Sequence, residues 1–166
     1  ELRARHLGAR NARDQAESLF EELLDGLEGA NLKRTERYAQ ALAGYGSLAR
    51  SVGEYEKARQ MYLRALEVRE AFYEQPDHPL VSELQTQLGA TALLDGKLDQ
   101  AEQYLTQAYA LLRERLGERS HQLTAGLEQL ALVKALRGDR RAALEMLTTC
   151  FEIEQTLLNE NLVVGS

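Results

Sequence analysis

The feature that most constrains this chain is a recurrence. Gly53-Glu54-Tyr55-Glu56-Lys57-Ala58, Gly96-Lys97-Leu98-Asp99-Gln100-Ala101 and Gly138-Asp139-Arg140-Arg141-Ala142-Ala143 share one layout, with their glycines 43 and 42 residues apart. Such a period marks stacked supersecondary units, each burying its apolar face on its neighbours. Small residues also recur, at Ala4, Gly46, Gly89 and Ala131 and again at Ala16, Ala58, Ala101 and Ala143. Leu23, Ala65, Ala108 and Cys150 follow the second column by seven residues, two helical turns along one face. Small side chains at these places let paired helices approach closely. Thr35, Asp77 and Ser120, all N-cap types, form a fourth column.

Between these markers the apolar residues keep a helical period, as in Tyr38, Leu42, Tyr45 and Ala49 and then Ala58, Met61, Tyr62, Ala65, Leu66 and Val68. Each repeat is therefore expected to be two helices. The first helices fall at about 36–52, 78–95 and 121–137 and the second at about 54–73, 97–116 and 139–158. Extending the register backwards puts Asn11 in the glycine slot, which predicts a left-handed break there. The chain then divides into a partial repeat at 1–34 (the end of a first helix, then a second helix near 12–29), repeats at 35–76, 77–119 and 120–158, and a tail at 159–166. Pro76 ends one helix, Asp77 caps the next and Pro79 fits its first turn. Starting inside a helix, at Glu1, the chain reads as a piece of something longer. The expected fold class is an all-α solenoid of antiparallel helix pairs.

Composition narrows the function classes. A net charge of −6, with no basic half, argues against nucleic acid, since phosphate binding needs clustered Lys and Arg and only Arg137, Arg140 and Arg141 gather. Apolar runs of four or five residues fall far short of the ~20 that span a membrane. One cysteine, Cys150, excludes an internal disulfide and points to a cytoplasmic protein. Cys150 with His78 or His121 could form a nucleophilic pair. The repeat explains them better, because Cys150 stands in the small-residue column and the two histidines share another. His6, His78 and His121 lie in different repeats, so no metal or other cofactor is expected. Gly44-Tyr45-Gly46 lies mid-helix and is no phosphate loop, and Tyr38, Tyr45, Tyr55, Tyr62 and Tyr104 sit mostly at core positions.

A small residue, twelve on an alanine and seven further on another small residue resembles the tetratricopeptide repeat over nearly the whole chain. The period of 42 or 43, against about 34 for the ordinary repeat, with a connection such as Phe72-Tyr73-Glu74-Gln75-Pro76-Asp77-His78-Pro79, resembles the kinesin-light-chain type, in which each helix is longer by about a turn. That type usually carries an asparagine in the first helix. Gly44, Gln87 and Gln129 stand in that column, so its clamp on a peptide backbone does not carry over. The segment running from Phe151-Glu152-Ile153-Glu154 through Asn161-Leu162 to Gly165-Ser166 resembles the terminal repeat of bacterial proteins that join such repeats to a CHAT domain, a caspase-like protease fold. That resemblance implies a downstream protease domain whose own Cys and His lie outside this sequence.

The resemblance implies a non-enzymatic module that recognises a protein or peptide in a concave groove and regulates an attached effector. In such solenoids the first helices line the groove. The register puts Gln40, Ser47 and Arg50, then Glu83, Thr86 and Gln87, then Glu128 and Gln129 on that face. Two readings compete with it: a structural spacer or self-association unit with no groove ligand, and an enzyme using Cys150.

Overall fold

Three glycines stop three helices. Gly53, Gly96 and Gly138 take φ of 82°, 73° and 84°, the left-handed backbone that costs a residue with a Cβ but not glycine. The amides of Gly53, Gly96 and Gly138 return to Arg50, Leu93 and Ala135, and the next helix starts within two residues. The expected turns are therefore real, and their common geometry explains why this column recurs.

The computed structural model describes residues 2–74, 78–118 and 120–164, with side chains for residues 11–74, 78–118 and 120–159. Among them are seven helices and no strand: α1 Leu2–Gly29, α2 Glu36–Ser51, α3 Tyr55–Tyr73, α4 Pro79–Leu94, α5 Leu98–Leu116, α6 His121–Leu136 and α7 Arg140–Val164. Helices α2 to α6 match the expected helices to within a residue or two, and α7 starts as expected but runs on to Val164 where an end at 158 was expected. The N-terminus corrects the reading more sharply. Helix α1 passes through Asn11 without a break, because asparagine tolerates a left-handed turn but does not impose one. The left-handed asparagine is Asn31, with φ of 59°, just beyond the end of α1.

N-caps appear where hydroxyls were expected. Thr35 accepts the amide of Tyr38 at 3.4 Å, and Ser120 accepts that of Gln122 at 3.3 Å. The cap of α4 is His78 in place of Asp77, which lies outside the described residues; His78 Nδ1 accepts the Leu80 amide at 3.3 Å, and Pro79 opens the helix.

The chain divides into two compact units, Glu1–Glu74 and Gln75–Ser166. In the first, α2 packs on α3 and on α1. Gly46 is where α2 meets α3: a Cβ there would lie 2.9 Å from Tyr62 Cε1. Ala58, Tyr62 and Ala65 of α3 and Leu42 and Ala49 of α2 are buried around that contact. Tyrosine tips leave this core to reach α1. Tyr45 donates to Glu21 at 2.8 Å, its ring stacks on Phe20 at 5.5 Å, and Lys57 lies 4.6 Å over the same ring. Gly44 makes the stack possible, since a Cβ there would come within 2.9 Å of Phe20. At the other end of α2, Glu36 receives the buried guanidinium of Arg69 at 2.9 Å and the Tyr73 hydroxyl at 3.2 Å.

The second unit repeats the scheme. Gly89 meets Leu105, where a Cβ would lie 2.5 Å from Cγ, and Leu105 packs with Ala92, Ala101, Leu130 and Val133. A second cluster joins Leu112 of α5, Leu123 and Leu127 of α6, and Cys150 and Ile153 of α7. Lys134 of α6 ties the exposed seam by bonding Glu102 of α5 at 2.5 Å, and Arg137 pairs with Glu102 and Asp99.

Candidate functional site

Helices α4 and α6 are the first helices of consecutive pairs and touch each other within the second unit. Their apolar residues Leu84, Leu88, Leu127 and Leu130 are buried, so the opposite sides of both helices are left to solvent. The result is a cleft of about 370 Å³ lined by Pro79, Leu80, Glu83, Thr86 and Gln87 of α4, Leu112 of α5, and Gln122 and Ala125 of α6. Two of its α4 residues take part in hydrogen bonds within that helix: Thr86 donates to the Ser82 carbonyl at 3.0 Å, and the Gln87 carbonyl accepts the Thr91 hydroxyl at 2.7 Å.

Glu83, Thr86 and Gln87, placed on the groove by register alone, thus share one cleft. Glu128 and Gln129 lie on α6, one turn beyond Ala125, and do not line it. Gln129 Oε1 is buried and has no hydrogen-bond partner among the described residues. Gln40, Ser47 and Arg50 belong to α2 in the first unit. Gln40 is exposed, Arg50 is half-buried, and the Ser47 hydroxyl shares a hydrogen bond of 3.0 Å with Tyr62. The register missed Leu112, which supplies the floor from a second helix, and Gln122 on the rim. It missed Ala125 too, although the repeat could have found it 42 residues after Glu83; its short methyl side chain leaves the space open.

The thiol lacks what a nucleophile needs. Cys150 is buried, its sulfur lies 3.6 Å from the Thr124 carbonyl, and burial pushes its pKa up, with the charges of Glu128 and Glu154 adding to the rise. His121 Nδ1 faces the Thr124 hydroxyl at 3.2 Å, while His78 Nδ1 is engaged as the cap of α4. Among the described residues no group of three His, Cys, Asp or Glu side chains could hold a metal ion, and no helix is long and apolar enough to cross a membrane.

Known proteins bear on the fold and the family. No curated protein sequence matches the chain. Among solved structures, BtubC (BKLC) from P. vanneervenii superposes with a TM-score of 0.81 at 20% identity, covering 92% of this chain. This chain spans 61% of that protein's length. A Podosopora anserina protein described as a kinesin light chain with nearly identical TPR-like repeats gives a TM-score of 0.74 at 18% identity, covering 93% of this chain and 72% of its own. At such identities the likeness is one of fold: an all-α solenoid of helix pairs, with repeats similar to those of kinesin light chains. A tetratricopeptide repeat model matches residues 37–114 and again 80–156. Sequence period, helix geometry and these matches together place the chain in the tetratricopeptide repeat family.

Proposed function

We propose that the chain is a protein-recognition module in which the α4–α6 face holds a segment of a partner. Repeats of this fold are in general protein-interaction modules and non-enzymatic scaffolds. The observation that carries the reading for this chain is the cleft, where Glu83, Thr86, Gln87, Gln122 and Ala125 surround an apolar floor. A concave site of this kind suits a side chain anchored in an apolar recess, with amides and a hydroxyl to orient the segment that bears it. Gln40, Ser47 and Arg50 extend the proposal to the corresponding face of α2. The attached effector proposed here is a CHAT protease domain, supported by the resemblance of the terminal segment, and the proposed compartment is the cytoplasm, supported by the single cysteine.

The test is selection of displayed peptides on the folded protein, followed by rebinding to Ala125→Trp, which fills the cleft. Clones that hold the wild type and release the variant are expected. Clones indifferent to Ala125→Trp would leave a spacer or self-association unit as the better account.

A further inference from the structure

Helix α7 turns a row of apolar side chains to solvent. Leu144, Leu147, Phe151 and Leu158 are 65%, 46%, 63% and 61% exposed. Their spacings of three, four and seven residues put them on one side of the helix, while Ala143, Cys150 and Ile153 on the other side are buried. Large apolar residues gathered in one row make a surface that scattered exposure does not require. No residue of α7 lines the α4–α6 cleft, so this row is a separate surface and stands or falls apart from the recognition reading.

What such a face takes is visible one repeat earlier. Forty-two residues before Leu144, Leu147, Phe151 and Glu154, helix α5 carries Glu102, Leu105, Tyr109 and Leu112 on the side that packs against α6. There Leu105 clusters with Leu130 and Val133, Leu112 clusters with Leu123 and Leu127, and Glu102 holds Lys134 and Arg137. On α7 two of these positions have changed character: Leu144 replaces the carboxylate, and the exposed Glu154 replaces a leucine. A helix of the α6 type laid on α7 would bring cations against Leu144 and leucines against Glu154, desolvating charges without compensation. The face therefore fits a helix with apolar residues toward the start of α7 and a cation toward Glu154.

A second α7, turned end for end, is such a helix. About a two-fold axis between Leu147 and Thr148, Leu144 of each copy falls opposite Phe151 of the other, the two Leu147 side chains meet at the axis, and Arg141 of each copy falls opposite Glu154 of the other. Arg141 already reaches Glu145 of its own helix at 3.0 Å, but both residues are exposed, and the guanidinium keeps further donors for a second carboxylate. Other charges near the row are turned elsewhere. Asp139 Oδ1 accepts the Ala142 amide at the start of α7, Arg137 is held by Asp99 and Glu102, and Glu152 lines a recess shared with Arg113 and Glu118.

We infer that the chain pairs with a second copy of itself through α7, the two helices antiparallel, with Leu144, Leu147 and Phe151 at the centre and Arg141 facing Glu154 of the other copy at both ends. Each contact occurs twice, as an interface between identical surfaces requires.

The experiment is sedimentation equilibrium of the full chain over a range of concentrations. Wild type should pass from one chain to two as concentration rises. Phe151→Glu, at an exposed position, should remain a single chain throughout with unchanged helicity. Arg141→Glu and Glu154→Arg should each weaken pairing about tenfold, because each sets like charges together twice. An equimolar mixture of those two variants should recover wild-type pairing, since every contact between unlike chains is again arginine with glutamate. Damage to the fold by either substitution would not be repaired by mixing. A single chain at every wild-type concentration would leave the row to a helix of another protein and overturn the inference, as would pairing indifferent to Phe151→Glu. Mixing that restores nothing would overturn the antiparallel α7 arrangement.

Discussion

The same substitution should have opposite signs at two glycines of this chain. A Cβ at Gly89 would meet Leu105 at 2.5 Å, inside a packed cluster, whereas a Cβ at Gly126 meets nothing within 4 Å although both residues are helical. Glycine to alanine in a helix gains up to about 1 kcal/mol from propensity. Gly126→Ala should therefore raise stability by roughly that amount, and Gly89→Ala should lower it, because the gain is outweighed by displacing Leu105. Urea denaturation of both variants gives the two signs, and a stabilised Gly89→Ala would mean that the α4–α5 contact is looser than described. Ala58 and Ala101 are fully buried in equivalent places, so Ala58→Leu and Ala101→Leu should each cost about 1–3 kcal/mol by overpacking. An unchanged midpoint in either would dissolve the column argument. This column was legible because close approach demands a small side chain wherever the repeat is copied. Gly44 was not, because its reason is Phe20, 24 residues earlier in sequence and brought near only by the fold. Cys150 belongs with the legible positions: burial raises its thiol pKa, so iodoacetamide should label it slowly in the folded state, and rapid labelling would contradict the packing described.

Helices begin and end here where local chemistry is strong, and the reading from sequence succeeded or failed on that basis. Gly53, Gly96 and Gly138 punctuate unambiguously, while Asn11 permits a turn that the surrounding helix-forming residues override. The cleft was half legible for a similar reason: the repeat register puts Glu83, Thr86 and Gln87 on one side of α4, but the contribution of Leu112 depends on how α5 packs against it. Helix α1 meets its neighbours through buried Leu24 and Leu27, the Phe20–Tyr45 stack and a set of ion pairs. Glu17 accepts from Arg13 at 2.9 Å and from Lys57 at 3.1 Å, and these hydrogen bonds hold its pKa below the usual carboxylate range; Lys33 and Tyr38 do the same for Glu28. A carboxylate depressed in the folded state contributes stability above its unfolded pKa and loses it as pH falls through the folded value. Docking of α1 should thus weaken on acidification below about pH 4, and Glu17→Gln should remove part of that dependence. Tryptic cleavage at Arg13, compared between wild type and Glu17→Gln after brief acid exposure, measures it; identical acid profiles would show that Leu24, Leu27 and the Phe20–Tyr45 stack hold α1 unaided.

At the scale of the whole molecule, the described residues form a set of neighbour contacts in separate clusters. Each cluster draws on adjacent helices: Leu105 is enclosed by residues of α4, α5 and α6, and Cys150 by residues of α5, α6 and α7. In such an array stability is close to a sum over repeats and their interfaces, so a part that keeps its own interfaces keeps its own stability. Residues 75–166 contain α4 to α7, both of these clusters, the α5–α6 seam of Lys134, Arg137, Glu102 and Asp99, and the whole proposed cleft. Burial varies along one column: Tyr62 and Leu105 are buried, while Leu147 in the same column is 46% exposed. Expressed alone, 75–166 should keep the helicity per residue of the full chain and unfold in urea as one sigmoidal step, with an m-value about half the parent's because about half the surface is exposed on unfolding. It should also bind the selected peptides with the affinity of the full chain, since every cleft-lining residue is present. A broad, non-cooperative transition would show that the two units depend on each other for their fold. Cooperative unfolding with lost peptide binding would instead assign part of the recognition surface to Gln40, Ser47 and Arg50 on α2.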